Sequence, residues 1–142
     1  KESAAGLAID VDYVDGNGNT VEVTKLKQGA DMVARVSVRN TGNAKLDNLA
    51  LTQILPSGWE IHNARMDNAQ GGAAKTPVDY EDIRDDRVYR YFSLKPGESK
   101  HFTTQINASY LGHYYLPALS VEAMYDASKQ ARTRGLWVNV VK

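Results

Sequence analysis

Three histidines, one asparagine-rich loop and one acidic run are the places in this 142-residue sequence where side chains could assemble chemistry. His62, His101 and His113 stand far apart, none at metal-ligand spacing from another, and the chain has no cysteine to complete a zinc set. They read as partly exposed strand residues or satisfied core residues. In "DGNGNTVEVTKL", Asp15, Asn17 and Asn19 occupy the first, third and fifth places of a calcium loop. Thr20 stands where the sharp-turn glycine belongs, and Leu26 where the bidentate glutamate belongs. A hairpin turn is the better reading. Asp79, Glu81, Asp82, Asp85 and Asp86 are interleaved with Arg84 and Arg87, which suits a solvated, internally paired segment. No serine lies in a nucleophile elbow, and no phosphate-cradling glycine loop follows a strand. Asn107 opens an Asn-Ala-Ser glycosylation triplet, which matters only in a eukaryotic secretory context. The residues therefore point away from an enzyme, with no catalytic residue, cofactor or metal to assign.

The elements that carry these residues have period two. Leu7, Ile9, Val11 and Tyr13 alternate against Asp10 and Asp12, and "DGNGN" then turns the chain. Val21 and Val23 suggest a returning strand. Met32, Ala34, Val36 and Val38 alternate against Val33, Arg35, Ser37 and Arg39, ended by the turn "NTGNAK". "LDNLALTQIL" stops at "PSG", and "WEIHNARM" suits a short strand. The small, polar segment Asp67–Thr76 reads as a loop, and "VDYEDIRDDR" as a helical turn or an extended crossing. Val88, Arg90, Phe92 and Leu94 then share one face against Tyr89 and Tyr91. "KHFTTQINASY", "YYLPALSVEAMYDA" and "RGLWVNVVK" supply the last strands. Short alternating runs with frequent turns predict an all-β, antiparallel immunoglobulin/fibronectin-like β-sandwich of seven to eight strands, with at most one short helix.

Composition sets limits on partners. Seventeen basic residues balance seventeen acidic ones, so nothing suggests nucleic acid or an anionic membrane surface. No apolar run approaches the ~18 residues needed to span a bilayer as a helix. Residues 1–142 read as a single domain, and the opening "KESAAG" as part of a longer chain.

One stretch raises a question of binding. Along "LSVEAMYD", Leu119, Val121, Ala123 and Tyr125 fall on one face, and Ser120, Glu122, Met124 and Asp126 on the other. The first set reads as core. Met124 is an adaptable thioether among polar neighbours, a candidate contact point whose burial contributes roughly 1.5–3 kcal/mol. Pro117 can shift the register by a bulge. Tyr125 reads as a core ring whose hydroxyl emerges at the strand end, while Tyr114, Tyr115, Trp59 and Trp137 read as sandwich, core or corner residues.

"VARVSVRNTGNAKLDNLALTQILPSGWEI" resembles a widely shared extracellular immunoglobulin-like pattern. "DYEDIRDDRVYRYFSL" and "INASYLGHYYLPALSVEAMYDASKQARTRGLWVNV" resemble the C-terminal domain of bacterial alpha-2-macroglobulins, the counterpart of the eukaryotic receptor-binding domain. The resemblance implies a macroglobulin-like sandwich at the C-terminal end of a large protease trap. It also implies a role: packing against a thioester domain and shielding its bond until a bait region is cut. Met124, Tyr125, Glu122 and Asp126 are the contact candidates it supports. It implies other macroglobulin-like domains of the same parent and target proteases as partners, with a penicillin-binding protein as a further one. It implies a periplasmic parent, anchored by N-terminal lipidation. The thioester motif Cys-x-Glu-Gln cannot lie in this cysteine-free chain. The alternatives are a generic exported binding module, carbohydrate-associated or adhesive, and an assembly domain of a thioester-less macroglobulin.

Overall fold

The computed structural model describes residues 3–62 and 80–142. The expected loop Asp67–Thr76, the end of "WEIHNARM" and Asp79 lie outside the described residues. The strands are β1 (Ser3–Ala5), β2 (Leu7–Val14), β3 (Leu26–Lys27), β4 (Asp31–Asn40), β5 (Leu46–Ile54), β6 (Trp59–His62), β7 (Tyr80–Ile83), β8 (Arg87–Leu94), β9 (Ser99–Ala108), β10 (Gly112–Leu116), β11 (Ser120–Ala123), β12 (Asp126–Arg132) and β13 (Leu136–Val141). No helix occurs among the described residues, and the charged segment whose helical reading was open is extended as β7 and the start of β8. Most of the alternating runs form strands; Val21–Val23 is an exception, "YYLPALSVEAMYDA" divides into β10 and β11, and β12 is not among the expected strands. Short strands such as β1, β3 and β7 add to them.

Three sheets form two layers. One sheet has the order β2-β4-β9-β6. Opposite it lie a six-stranded sheet, β1-β12-β11-β5-β8-β7, and a three-stranded one, β10-β13-β3. The pairings are antiparallel except for the short parallel contact of β13 with β3. Strand β4 explains the layering. Its buried face carries Met32, Ala34, Val36 and Val38, and these divide between two core clusters. Val36 and Val38 pack with Leu49, Leu51, Phe92, Leu94, Phe102 and Val121. Met32 and Ala34 pack with Tyr13, Trp59, Ile106, Leu116, Val138 and Val140. One continuous sheet thus serves two opposing ones, each with its own core.

Local chemistry fixes the turns. Asp15 accepts the backbone N–H groups of Asn17 and Asn19 at 2.9 and 3.0 Å, so its carboxylate closes the hairpin that had suggested a calcium loop. The chain after it makes only the bridge Val14–Thr20, and the expected strand at Val21–Val23 does not form. Val23 is nonetheless buried, because the segment crosses to bring Leu26 beside β13. In the Asn-Thr-Gly turn, buried Asn40 donates to the carbonyls of Ala44 and Leu94 and accepts the N–H of Gly42. At the Pro-Ser-Gly-Trp corner the N–H of Trp59 bonds back to the carbonyl of Pro56. A Cβ on Gly58 would lie 2.1 Å from the Tyr114 ring, so the corner needs glycine to let β10 approach.

Candidate interaction site at the hairpin end

The last thirty residues form one long, bent hairpin. β10 pairs with β13 from Gly112–Val140 to Leu116–Leu136, and β11 with β12 from Ser120–Arg132 to Glu122–Gln130, in the same register throughout. Between the two halves, Pro117 lacks the N–H to continue a ladder, and both strands are interrupted. Thr133 bridges the gap: its N–H donates to the carbonyl of Leu119 at 3.0 Å, and its Oγ1 accepts the Leu119 N–H at 2.9 Å. The buried face changes phase across this break, from Leu116 to Leu119 on one strand and from Ala131 and Thr133 to Val138 on the other. The hairpin thereby passes from the three-stranded sheet to the six-stranded one.

Its far end carries the four contact candidates. Val121 and Ala123 are buried as the alternation requires, and Glu122 is exposed. Ala123 pairs with Asp126, which makes Met124–Tyr125 a two-residue connection. Met124 is 52% exposed and Tyr125 84%. The expectation that Tyr125 is a core ring is therefore corrected: the strand stops at Ala123, and the turn swings both side chains outward. Such short turns usually require positive φ, which neither residue adopts. The strands adjust by a bulge instead, with Ala127, Ser128 and Lys129 taken up between the pairs Glu122–Gln130 and Ala123–Asp126. Asp126 accepts the N–H of Ser128 at 3.1 Å and its hydroxyl at 2.5 Å, and these bonds hold its carboxyl below the usual range. Glu122, Met124, Tyr125 and Asp126 thus gather at one end of the molecule.

The other residues with chemical potential do not converge. His62 ends β6, His101 lies on β9, and His113 on β10. Among the described residues no group of three or more histidines, aspartates or glutamates is placed to hold a metal ion. Asp82 pairs with Arg84 at 3.0 Å, and Asp86 with Arg87 at 3.0 Å, so this part of the acidic run is internally paired. The amide nitrogen of Asn107 donates to the Gly29 carbonyl and to the Asp31 carboxylate, which commits the atom a glycan would need.

Sequence reasoning missed one feature. Trp59 is buried as expected, but Trp137 is 57% exposed and Tyr115 49% exposed, on the outer face of the three-stranded sheet. His113 stacks on Trp137 with centroids 4.7 Å apart and planes 6° from parallel, and Tyr115 meets it edge-on at 5.2 Å. His113 Nδ1 lies 2.6 Å from Asn139 Oδ1. The signal was in the alternation of "GLWVNV", where Val138 and Val140 take the inward places and leave Trp137 outside.

Comparison with known proteins agrees with this architecture. The family described as "Bacterial Alpha-2-macroglobulin MG10 domain" matches residues 6–127. The alpha-2-macroglobulin of Rickettsia conorii is 30% identical over 146 residues, covering 99% of this chain and 7% of the relative. The chain therefore spans a small part of the curated relatives it matches. Native alpha-2-macroglobulin from Escherichia coli, in a structure spanning domain MG7 to the C-terminus, superposes with a TM-score of 0.87 at 18% identity over 99% of this chain and 24% of that one. Salmonella alpha-2-macroglobulin reacted with methylamine superposes with a TM-score of 0.85 at 19% identity, over 100% of this chain and 10% of that one. With the family match extending from the start of β2 through the hairpin end, this chain belongs to the bacterial alpha-2-macroglobulin MG10 domain family.

Proposed function

We propose that this chain acts as a non-catalytic domain of a bacterial alpha-2-macroglobulin protease trap, and that its hairpin end packs against the thioester-bearing domain of the parent and excludes water from that bond until the bait is cut. The parent in this reading is a periplasmic protein, and the domain occupies its C-terminal end. The observation that carries the reading is the pair of adjacent, exposed side chains Met124 and Tyr125 on a hairpin end whose backbone is tied to the sheet. A thioether and a phenol present apolar surface that adapts to a partner, and a tyrosine hydroxyl adds a directional bond. Met124 is 52% exposed, so covering the rest contributes roughly 0.8–1.5 kcal/mol, enough to add to a domain contact and little enough to release it.

The test uses a full-length macroglobulin carrying this domain. Methylamine is added and free thiol is followed in the wild type and in Met124→Gly. Since this domain contains no cysteine, the signal comes entirely from elsewhere in the parent. Loss of the shield is expected to speed release about tenfold, the factor that corresponds to ~1.4 kcal/mol. Equal release from both proteins would remove Met124 from the shield. Silence in both would indicate a parent without a thioester, in which the domain serves assembly.

The exposed cluster of His113, Tyr115 and Trp137 favours a second reading, a saccharide-binding surface on the same domain. An indole face packs well against the flat apolar side of a pyranose ring. Glycan-array binding that disappears in Trp137→Ala would support it, and a blank array would dismiss it.

A further inference from the structure

We infer that Asn48 is a positioning residue for the Met124–Tyr125 end, and for its functional consequence this rests on the shielding reading above. Asn48 has φ of 56°, and among the described residues no other non-glycine residue has positive φ. It sits where β5 departs from its register with β8. Leu46 pairs with Leu94 and Leu49 with Phe92, so Asp47 and Asn48 together face a single step of the partner strand. Both are exposed in succession, which breaks the alternation that Leu49 and Leu51 resume. This is a β-bulge with its extra residue in the left-handed region, a device that re-aims a strand locally.

What the bulge aims is a carbonyl. The backbone N–H of Met124 donates to the Asn48 oxygen at 3.0 Å. The bond continues the β11–β5 ladder one place past its last pair, Ala123–Leu49, and into the turn itself. The connection lacks the positive φ that normally locks a two-residue hairpin, and β12 bulges away from it on the other side. The Asn48 carbonyl is thus the contact that holds the turn backbone to the sheet from the β5 side. A contact surface already fixed in place loses less freedom on docking than a mobile one.

Asparagine tolerates the left-handed region, glycine adopts it freely, and β-branched residues are strongly disfavoured there. The Asn48 side chain is exposed, so its replacement removes no core packing. Asn48→Gly should therefore preserve the anchor, and Asn48→Val should disrupt it. The experiment measures hydrogen exchange at the Met124 amide and methylamine-triggered thiol release, both in the full-length protein, for these two variants and for Met124→Gly. The expected result is Met124 exchange about tenfold faster in Asn48→Val, near wild type in Asn48→Gly, with thiol release following the same order. Unchanged exchange in Asn48→Val, or equally raised exchange in Asn48→Gly, would overturn the positioning role. Wild-type thiol release from Met124→Gly would instead remove Met124 from the shield, while the exchange data alone would still decide the role of Asn48. If Asn48→Val does not fold, Asn48→Ala carries the same comparison with a smaller expected rise.

Discussion

Arg90 lies between Val88 and Phe92 on the buried face of β8 and is 2% exposed. Its Nε donates to Glu81 at 2.8 Å, and its Nη2 to the Thr103 carbonyl and the Thr104 hydroxyl at 3.0 and 3.1 Å. The guanidinium carbon also sits 5.3 Å from the centre of the Phe102 ring. Burial pulls its pKa down, opposed by the hydrogen bond and charge of Glu81. Buried charges tolerate loss of a partner poorly, so Glu81→Ala should cost about 3–5 kcal/mol in urea unfolding. The double replacement Arg90→Met with Glu81→Leu should cost much less, because no charge is then left uncompensated. A single variant as stable as the wild type would show that Glu81 is not the compensating group. The alternation of "VYRYFSL" had already put Arg90 on the core face. It could not name Glu81, because that partner arrives only through the β7–β8 pairing of Glu81 with Arg90.

At the scale of elements, proline and glycine decide where strands bend and how closely they meet. Pro117 was legible as an irregularity. That the hairpin keeps its register across the break while changing sheets was not, because β13 and β12 had to be placed first. The same gap explains Trp137 and Tyr115. Their aromatic character suggested core, but among the described residues both remain about half exposed on the outer face of the three-stranded sheet. For Tyr125 the error lay in extending the alternation two residues beyond the strand. Gly58 gives the prediction that belongs here. A methyl group at this corner must displace the Tyr114 ring, whose hydroxyl is bound by the carbonyls of Tyr110 and Leu111. Gly58→Ala should therefore lower stability by about 1–3 kcal/mol, read as a lower midpoint of thermal unfolding. An unchanged midpoint would mean that the β6–β10 corner relaxes freely.

For the molecule as a whole, the sandwich class was readable because alternation needs only local sequence. The division of its core was not, since Met32, Ala34, Val36 and Val38 form one unbroken pattern along β4. Nothing in that pattern says that two separate sheets cover its two halves. The four contact candidates were brought to one place by a turn rather than by a shared strand face. Their grouping followed from chain proximity, while their common exposure followed from where the ladder ends. The ladder has a mechanical consequence. β11 is hydrogen-bonded to β12 on one side and to β5 on the other, and the turn is fastened to β5 once more. A tug along the hairpin axis would strain these bonds side by side instead of one after another. A neighbour pulling away in that direction would therefore detach from the surface of Met124 and Tyr125 before it drew the hairpin out of the sheet.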